Sequence, residues 1–320
     1  AALGRFLPAW HRLDTDARGR SAMAEAIAQI QGYEIPASSL ERDVLSSRVA
    51  EPGPLIDQMM LEGELVWIGR GALGPRDGKV AIYPRNAIGH LHGFDGNEPI
   101  EGDTHSRIRE HLADRGASFF ADIYAAAGIG DPEEVLSALW DLVWNGEVTN
   151  DTLAPLRAFL GRRNRRSSPR HLPSSFPPHA AGRWSLVATL SAGTISDTER
   201  SAALASILRQ RHGVVTRSVV AHEGVRGGFS GLYPVFSQME EAGQVRRGYF
   251  VEGQGGAQFA TPGAVDRLRA APEGRTVVMA STDPANPYGA ALPWPDSQVR
   301  LARTAGTYVI LHSGELVGYV

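Results

Sequence analysis

The sequence predicts an α+β chain in which tandem winged helix-turn-helix units lead into a β-barrel segment. Three observations predict it. Residues 217 to 269 read as a short helix, a Gly-rich turn, a second helix, then two strands around a glycine tip. The passage from helix to strand recurs as EGELVW, NGEVTN and AGQVRR, turning at Gly63, Gly146 and Gly243. From Arg275 onward the pattern changes to RTVVMAST and TYVILHSGELVGYV, strand-like runs with a Ser-Gly hairpin. The chain stops inside that strand pattern, so the barrel reads as incomplete and the chain as a piece of a longer polypeptide.

Composition narrows the function classes. Of 320 residues, 42% are hydrophobic and 21% charged, which is ordinary for a soluble globular protein. No apolar run is long enough to span a bilayer, and AALGRFLPAWHRLD lacks the charged-then-apolar design of a secretion signal. The absence of cysteine excludes disulfides and thiolate metal sites and fits a cytoplasmic, nucleoid-associated protein. The net charge of -3 argues against a protein that coats nucleic acid, so any binding face is local. Lys79 is the lone lysine; the other cations are arginines, whose forked donors suit phosphates and base edges.

The first unit is placed at 1–100. Ser21 is expected to cap a helix through Gln31, a second helix starts near Pro36, and a third covers Pro54 to Glu62. ELVWIG and KVAIYP then read as wing strands. The second unit, 101–160, has helices capped at Thr104, Ser118 and Asp131, where Pro132, Glu133 and Glu134 make a strong start. A single short strand, Glu147 to Thr149, leaves its wing degenerate. Residues 161–183 form an Arg/Pro/Ser-rich linker with Arg162, Arg163, Arg165, Arg166, Arg170 and Arg183. That linker either tracks a phosphate backbone or is simply solvated. The third unit, 184–270, has helices at about 197–210, 217–222 and 230–242; Pro234 fits the last if that helix starts near Ser230. Residues 271–320 are the barrel segment.

In the third unit Arg217, Arg226, Arg246, Arg247 and Tyr249 flank the helix-turn-helix and wing, where such a module meets a DNA backbone. GGFSG at 227–231 is the turn of the helix-turn-helix, its helix amides suited to one phosphate. Gly78-Lys79 lacks the frame of a phosphate loop, and His90-Leu91-His92 reads as an incidental loop pair. Two constellations remain. Asp283-Pro284-Ala285-Asn286-Pro287-Tyr288, with Trp294 beyond, offers a carboxylate, an amide and aromatics for a base pocket, or else a packed loop capping a barrel. Gln29-Ile30-Gln31 orients a water, or is a solvated helix face. Phe119, Phe120, Trp140 and Trp144 lie close together in the second unit, as its core or as a contact for a partner protein.

RFLPAWH, ALGPRDGKVAIYPR, the 227–269 segment and TDPANPYGAALPWP together resemble the C-terminal domain of the bacterial large helicase-related family, across essentially the whole chain. The resemblance implies tandem winged helices followed by a β-barrel, in a protein whose ATP- and Mg-dependent helicase core precedes this region. This chain carries no such core and no cofactor site of its own. The domain is similar to AlkZ-type DNA glycosylases, which use a Gln-apolar-Gln or Gln-apolar-Asp motif that Gln29-Ile30-Gln31 fits as a string. The implied partners are DNA, a second copy of the chain and its own helicase core. The implied roles are DNA binding and assembly; an alternative is excision of damaged bases or uracil, with Asp283 as the anion, Gln29 and Gln31 on the water, and Asn286, Tyr288 and Trp294 around the base. A further alternative is a purely structural oligomerisation module.

Overall fold

The computed structural model describes residues 1–13, 15–91, 98–128, 131–161, 176–190 and 195–320. The chain falls into two compact units. Ala1–Tyr33, Ser39–Pro52 and Ile195–Val320 form the first; Glu34–Ser38 and Gly53–Thr194 form the second. The elements in order are α1 (Ala2–Trp10), α2 (Gly19–Ile30), β1 (Ile35–Pro36) and α3 (Ala37–Ser39), which continues into a wide helical turn (Leu40–Leu45). Then come α4 (Pro52–Leu61), β2 (Leu65–Ala72), β3 (Gly78–Pro84) and α5 (Ile88–Leu91). Next are α6 (Asp103–Arg115), β4 (Ser118–Phe119), α7 (Phe120–Ala127), α8 (Pro132–Trp144), β5 (Val148–Asn150), α9 (Ala154–Leu160) and β6 (Arg183–Leu186). The rest is α10 (Asp197–His212), β7 (Val214–Val215), α11 (Arg217–His222), α12 (Gly228–Glu241), β8 (Arg246–Gly248), β9 (Gln258–Ala260), α13 (Pro262–Arg269), β10 (Thr276–Ala280), β11 (Tyr308–His312) and β12 (Glu315–Tyr319). Among the described residues no helix is long and apolar enough to cross a membrane.

One element order occurs three times: helix, short strand, helix, helix, strand, strand. It runs α2 to β3, α6 to β6 with α9 inserted between the last two strands, and α10 to β9. In each copy the last strand lies between the other two, giving the orders β1-β3-β2, β4-β6-β5 and β7-β9-β8, all antiparallel. That is winged-helix topology. The helix α2 belongs to the first compact unit, whereas the sheet β1-β3-β2 belongs to the second.

The recurring glycine explains why the repeat is visible in sequence. Gly63, Gly146 and Gly243 all have φ between 72° and 79°. Each donates its N–H to the helix it ends, at Met60, Val143 and Glu240, and the following residue donates to Met59, Leu142 and Met239. This left-handed stop satisfies the free carbonyls of the last turn and aims the chain into the wing.

Several expectations change in detail. In the second copy the strand missing from the sequence pattern is β6, which pairs Val148 with Leu186 and Asn150 with Trp184. It was hidden because the 161–183 stretch separates it from β5. Arg183 lies in β6 and pairs with Asp151 at 2.8 Å; Arg162, Arg163, Arg165, Arg166 and Arg170 lie outside the described residues, as does His92. Asp131 caps α8 by accepting the Glu133 N–H at 3.1 Å. Ser21, Thr104 and Ser118 are not the caps: α2 and α6 start earlier, after Arg18 and Gly102, and α7 starts after Phe119. The helix α12 starts at Gly228, with Pro234 inside it. Ser230 and Pro234 are both exposed, so water can serve the Ser230 carbonyl that proline cannot. The expected barrel is not present: β10, β11 and β12 form an open sheet, and no sheet among the described residues closes on itself. Three strands are too few to close a barrel.

The aromatic cluster of the second unit is core. Trp140 is ringed by Trp67, Trp144, Phe159 and Trp184 at centroid distances of 4.4 to 6.5 Å. Phe120, Trp140 and Trp144 are buried, and of the four candidate contact aromatics Phe119 alone is exposed. The contact-surface reading of that cluster therefore fails, because its rings are needed inside. In the first unit, Phe229, Phe236 and Phe259 stack in the third winged helix, in a core that also takes Phe6 and Leu7 of α1.

The junction glycines give a direct test. A Cβ on Gly243 meets nothing within 4 Å, so Gly243→Ala is expected to cost only its backbone strain, about 1–2 kcal/mol. Gly263→Ala, inside α13 and equally unhindered, is expected to stabilise by about 0.4–1 kcal/mol. Urea unfolding of the two variants should show opposite signs; equal effects would contradict the argument.

Candidate functional site

The site is built where α1 ends against α2. His11 follows the helix, and Arg12 takes a left-handed φ of 54° that a glycine would adopt more easily. The N–H groups of His11, Arg12 and Leu13 all bond back into the last turn of α1. Leu13 thereby enters the core of the C-terminal sheet, and Trp10, His11 and Arg12 face a cavity of about 430 Å³. The facing side of α2 supplies Glu25 and Gln29, one turn apart, while Arg48 and Arg267 complete the part of the lining that carries chemistry. Arg12 pairs with Glu25.

Gln29 is half-buried and donates from Nε2 to the Trp10 carbonyl at 2.8 Å. No hydrogen bond among the described residues reaches its Oε1, so that acceptor is left for the cavity. His11 is 1% exposed. Its Nδ1 lies 3.0 Å from Arg48 Nη2 and its Nε2 lies 2.8 Å from the Arg211 carbonyl. An arginine only donates and a carbonyl only accepts, so the ring is neutral with its proton on Nε2. Burial, then the Arg48 charge, holds its pKa well below the usual histidine range.

Arg48 is itself 3% exposed and meets Asp283 through two parallel bonds of 2.8 and 2.7 Å. It also donates to the Val44 carbonyl, while its buried Nε has no acceptor. Asp283 is fully buried, and its Oδ1 also accepts the Ala285 N–H at 2.7 Å.

A second buried cluster lies in the same unit. Arg211 pairs with Glu223, donates to the carbonyls of Gln29 and Gln31, and covers the ring of Tyr33 at 5.1 Å. Glu223 also meets His212 Nε2 at 2.5 Å. Burial pushes Glu223 up, but Arg211 and His212 outweigh it and bring the pKa to about 2. Burial lowers His212 despite that carboxylate. Arg303 donates to the carbonyls of Thr282, Asp283, Asn286 and Tyr288 and to the Tyr33 hydroxyl, which lies 3.2 Å from His222.

These contacts separate the sequence-predicted residues. Gln29 lines the cavity. Gln31 is the C-cap of α2, its amide turned back to the Ala28 carbonyl. Asp283 reaches the cavity only through Arg48. Asn286 bonds to Ser281 and Tyr288 backbone, the Tyr288 hydroxyl bonds to Gly314, and Trp294 stacks on Tyr288 at 6.3 Å. Those three build the 281–294 loop. In the third winged helix Arg226 and Arg246 are exposed without a protein partner among the described residues, and Tyr249 is 84% exposed. Arg217 lies over the Phe229 ring at 5.9 Å, and Arg247 is held by Glu240 and Tyr233. Sequence reasoning missed Trp10, His11, Arg48 and Arg267. Nothing local in the sequence distinguishes a buried arginine such as Arg48 from a solvated one. Among the described residues no cluster of three metal-ligating side chains occurs.

Family models of the large helicase-related protein winged-helix domain match residues 1–85 and 194–278. The whole chain aligns at 41% identity with the "Lhr helicase/ probable uracil glycosylase" of Mycolicibacterium smegmatis, covering 23% of that protein. It aligns over 94% of its length at 34% identity with the "Lhr helicase/uracil glycosylase" of Escherichia coli, covering 22% of it. The chain thus spans under a quarter of the length of these relatives. The Streptomyces sahachiroi DNA glycosylase AlkZ superposes on 99% of the chain and 86% of its own, with a TM-score of 0.62 at 13% identity, a similarity of fold.

Two stability effects follow from the buried charges. Asp283→Ala strands the Arg48 charge and is expected to cost about 3–5 kcal/mol, read by urea unfolding; a loss under about 1 kcal/mol would mean that the pair is not desolvated. His11 and His212 have folded pKa values below the unfolded 6.5, so their neutral forms stabilise the fold above that pH and the contribution is lost as pH falls. The slope is at most about 1.4 kcal/mol per pH unit for each histidine. Glu223 adds a further loss between its unfolded 4.5 and about 2. The urea midpoint should fall between pH 8 and pH 5; a flat midpoint would contradict this.

Proposed function

This chain belongs to the large helicase-related family, and we propose that it is the DNA-engaging region of a larger helicase-type protein. The observation that carries this is the third winged helix. Arg226, at the turn before α12, and Arg246, at the start of the wing, are solvent-facing cations whose charge no described residue neutralises. Tyr249 extends the same wing, and Arg217 sits beside the wing tip at Gly256. The helix α12 carries Glu240 and Glu241 near its end, so binding is through the phosphate backbone and carries little base readout. ATP and Mg belong to a core elsewhere in the whole protein. Lys79 lies in β3 and pairs with Glu34 at 3.0 Å, so Gly78-Lys79 does not fit a phosphate loop. The open sheet β10-β11-β12, with Val278 and Val317 exposed, is the surface we assign to contact with that core or with a second copy.

A second reading, base excision, is favoured by the cavity. Hydrolysis joins a water oxygen to the sugar C1′ while the C–N bond electrons leave with the base. Gln29 Oε1 orients the water. Glu25, the carboxylate of the cavity lining, takes the water proton and passes it to solvent, and the departing base takes a proton from solvent in turn. Asp283 acts by fixing Arg48. One matched relative is named a uracil glycosylase and the other a probable uracil glycosylase, which makes uracil the first substrate to test.

Charge reversal at Arg226 and Arg246 is expected to weaken duplex binding and to flatten the log-log salt dependence by about one unit per lost phosphate contact. An unchanged slope would remove the third winged helix from the interface. For the second reading, alkali-induced strand cleavage of a uracil oligonucleotide should fall by about 100-fold or more in Gln29→Ala. Wild-type activity in that variant would exclude Gln29 from the reaction.

A further inference from the structure

We propose that Trp10 and Arg267 form a stacking site for an unpaired nucleobase, at the cavity of the first unit. The inference rests on the DNA-binding reading and does not require base excision.

Trp10 is the large aromatic of the cavity lining. Its plane is fixed twice: Nε1 donates to the Gln210 carbonyl at 2.8 Å, and Phe6 packs against the ring at 5.3 Å. Its carbonyl, in turn, holds the Gln29 amide. The guanidinium of Arg267 lies over the Trp10 ring at 5.3 Å. Arg267 projects from the exposed side of α13 and makes no ion pair or hydrogen bond among the described residues. Its hold on Trp10 is therefore a cation–π contact alone, a weak one at an exposed site.

That arrangement suits a base in three respects. An indole and a guanidinium are both planar groups that proteins stack on bases, and Arg267 can cover a base that lies on Trp10 or move to the adjoining phosphate. About 430 Å³ lies within the range of pockets that enclose small ligands, about 300–1,000 Å³. The polar wall beside Trp10 supplies the Gln29 Oε1 acceptor for a base edge. The neutral ring of His11 adds no charge that would repel or attract one base over another. Stacking tolerates any base, so the site takes single-stranded DNA or a base swung out of a duplex.

The test compares a single-stranded oligonucleotide carrying 2-aminopurine, whose fluorescence is quenched on stacking, with a fully paired duplex of the same length. The expected result is quenching by the wild type. Trp10→Ala and Arg267→Ala should each weaken single-strand binding by about tenfold and reduce the quenching. Trp10→Phe should keep most of both, and duplex affinity should stay at the wild-type value in all three. Arg267 is on the surface, so its variant reports even if Trp10→Ala fails to fold. Wild-type single-strand affinity and quenching in Arg267→Ala would overturn the inference while leaving DNA binding intact. Equal loss on both probes would make Arg267 a phosphate contact and also overturn it. A wild type that binds neither probe would overturn the DNA-binding reading as well.

Discussion

The buried pair of Arg48 and Asp283 is the constraint around which the first unit is arranged. Two opposite charges removed from water are tolerable only when each is fully hydrogen-bonded. Arg48 satisfies both of its terminal nitrogens with a bidentate carboxylate, a backbone carbonyl and the ring of His11, leaving only its Nε without an acceptor among the described residues; Asp283 adds a backbone N–H. These bonds tie the segment just before α4, inside the first repeat, to a loop 235 residues away. Because His11 is held between Arg48 and the Arg211 carbonyl, the same pair fixes the end of α1, and with it Trp10 and the cavity wall.

Arginine carries much of the interior here, as well as the surface. Arg211 joins the end of α2 to Glu223, and Arg303 gathers four carbonyls of the 281–294 loop. A lysine, with one compact charge centre, cannot serve so many acceptors in one plane. The near-absence of lysine thus fits the way the fold is held together. It also means that arginine content is a poor guide to nucleic-acid contacts: Arg48, Arg211 and Arg303 serve the interior, whereas Arg226, Arg246 and Arg267 remain free to meet a ligand.

The winged-helix copies share a topology and differ in what they expose. The second is filled by a tryptophan-rich core, and among its described residues Arg109 pairs with Glu147 and Arg183 with Asp151. The third keeps unpaired arginines at the turn and wing. Topology alone therefore assigns no role, and the distribution of unneutralised charge is what separates a binding face from a structural one.

The repeats were legible because local rules write them. A left-handed helix stop requires glycine, an alternating run makes a wing, and Asp131-Pro132 starts a helix wherever it occurs. Gln29 and the arginines of the third unit were singled out in the sequence because they sit at fixed places in a recognisable pattern; Gln29 lines the cavity, and Arg226 and Arg246 face solvent. The return strand β6 was not, because its partner lies across a long insertion and strand pairing leaves no mark on the intervening sequence. Nor was the cavity: Trp10 and His11, Arg48, and Arg267 come from three separate segments, and the burial of Asp283 against Arg48 leaves no mark in either local sequence. The sequence by itself determined the winged-helix units and their surface charge, which depend on neighbours along the chain. Tertiary structure alone decided which charges are buried against each other, because desolvation depends on what surrounds a group in space.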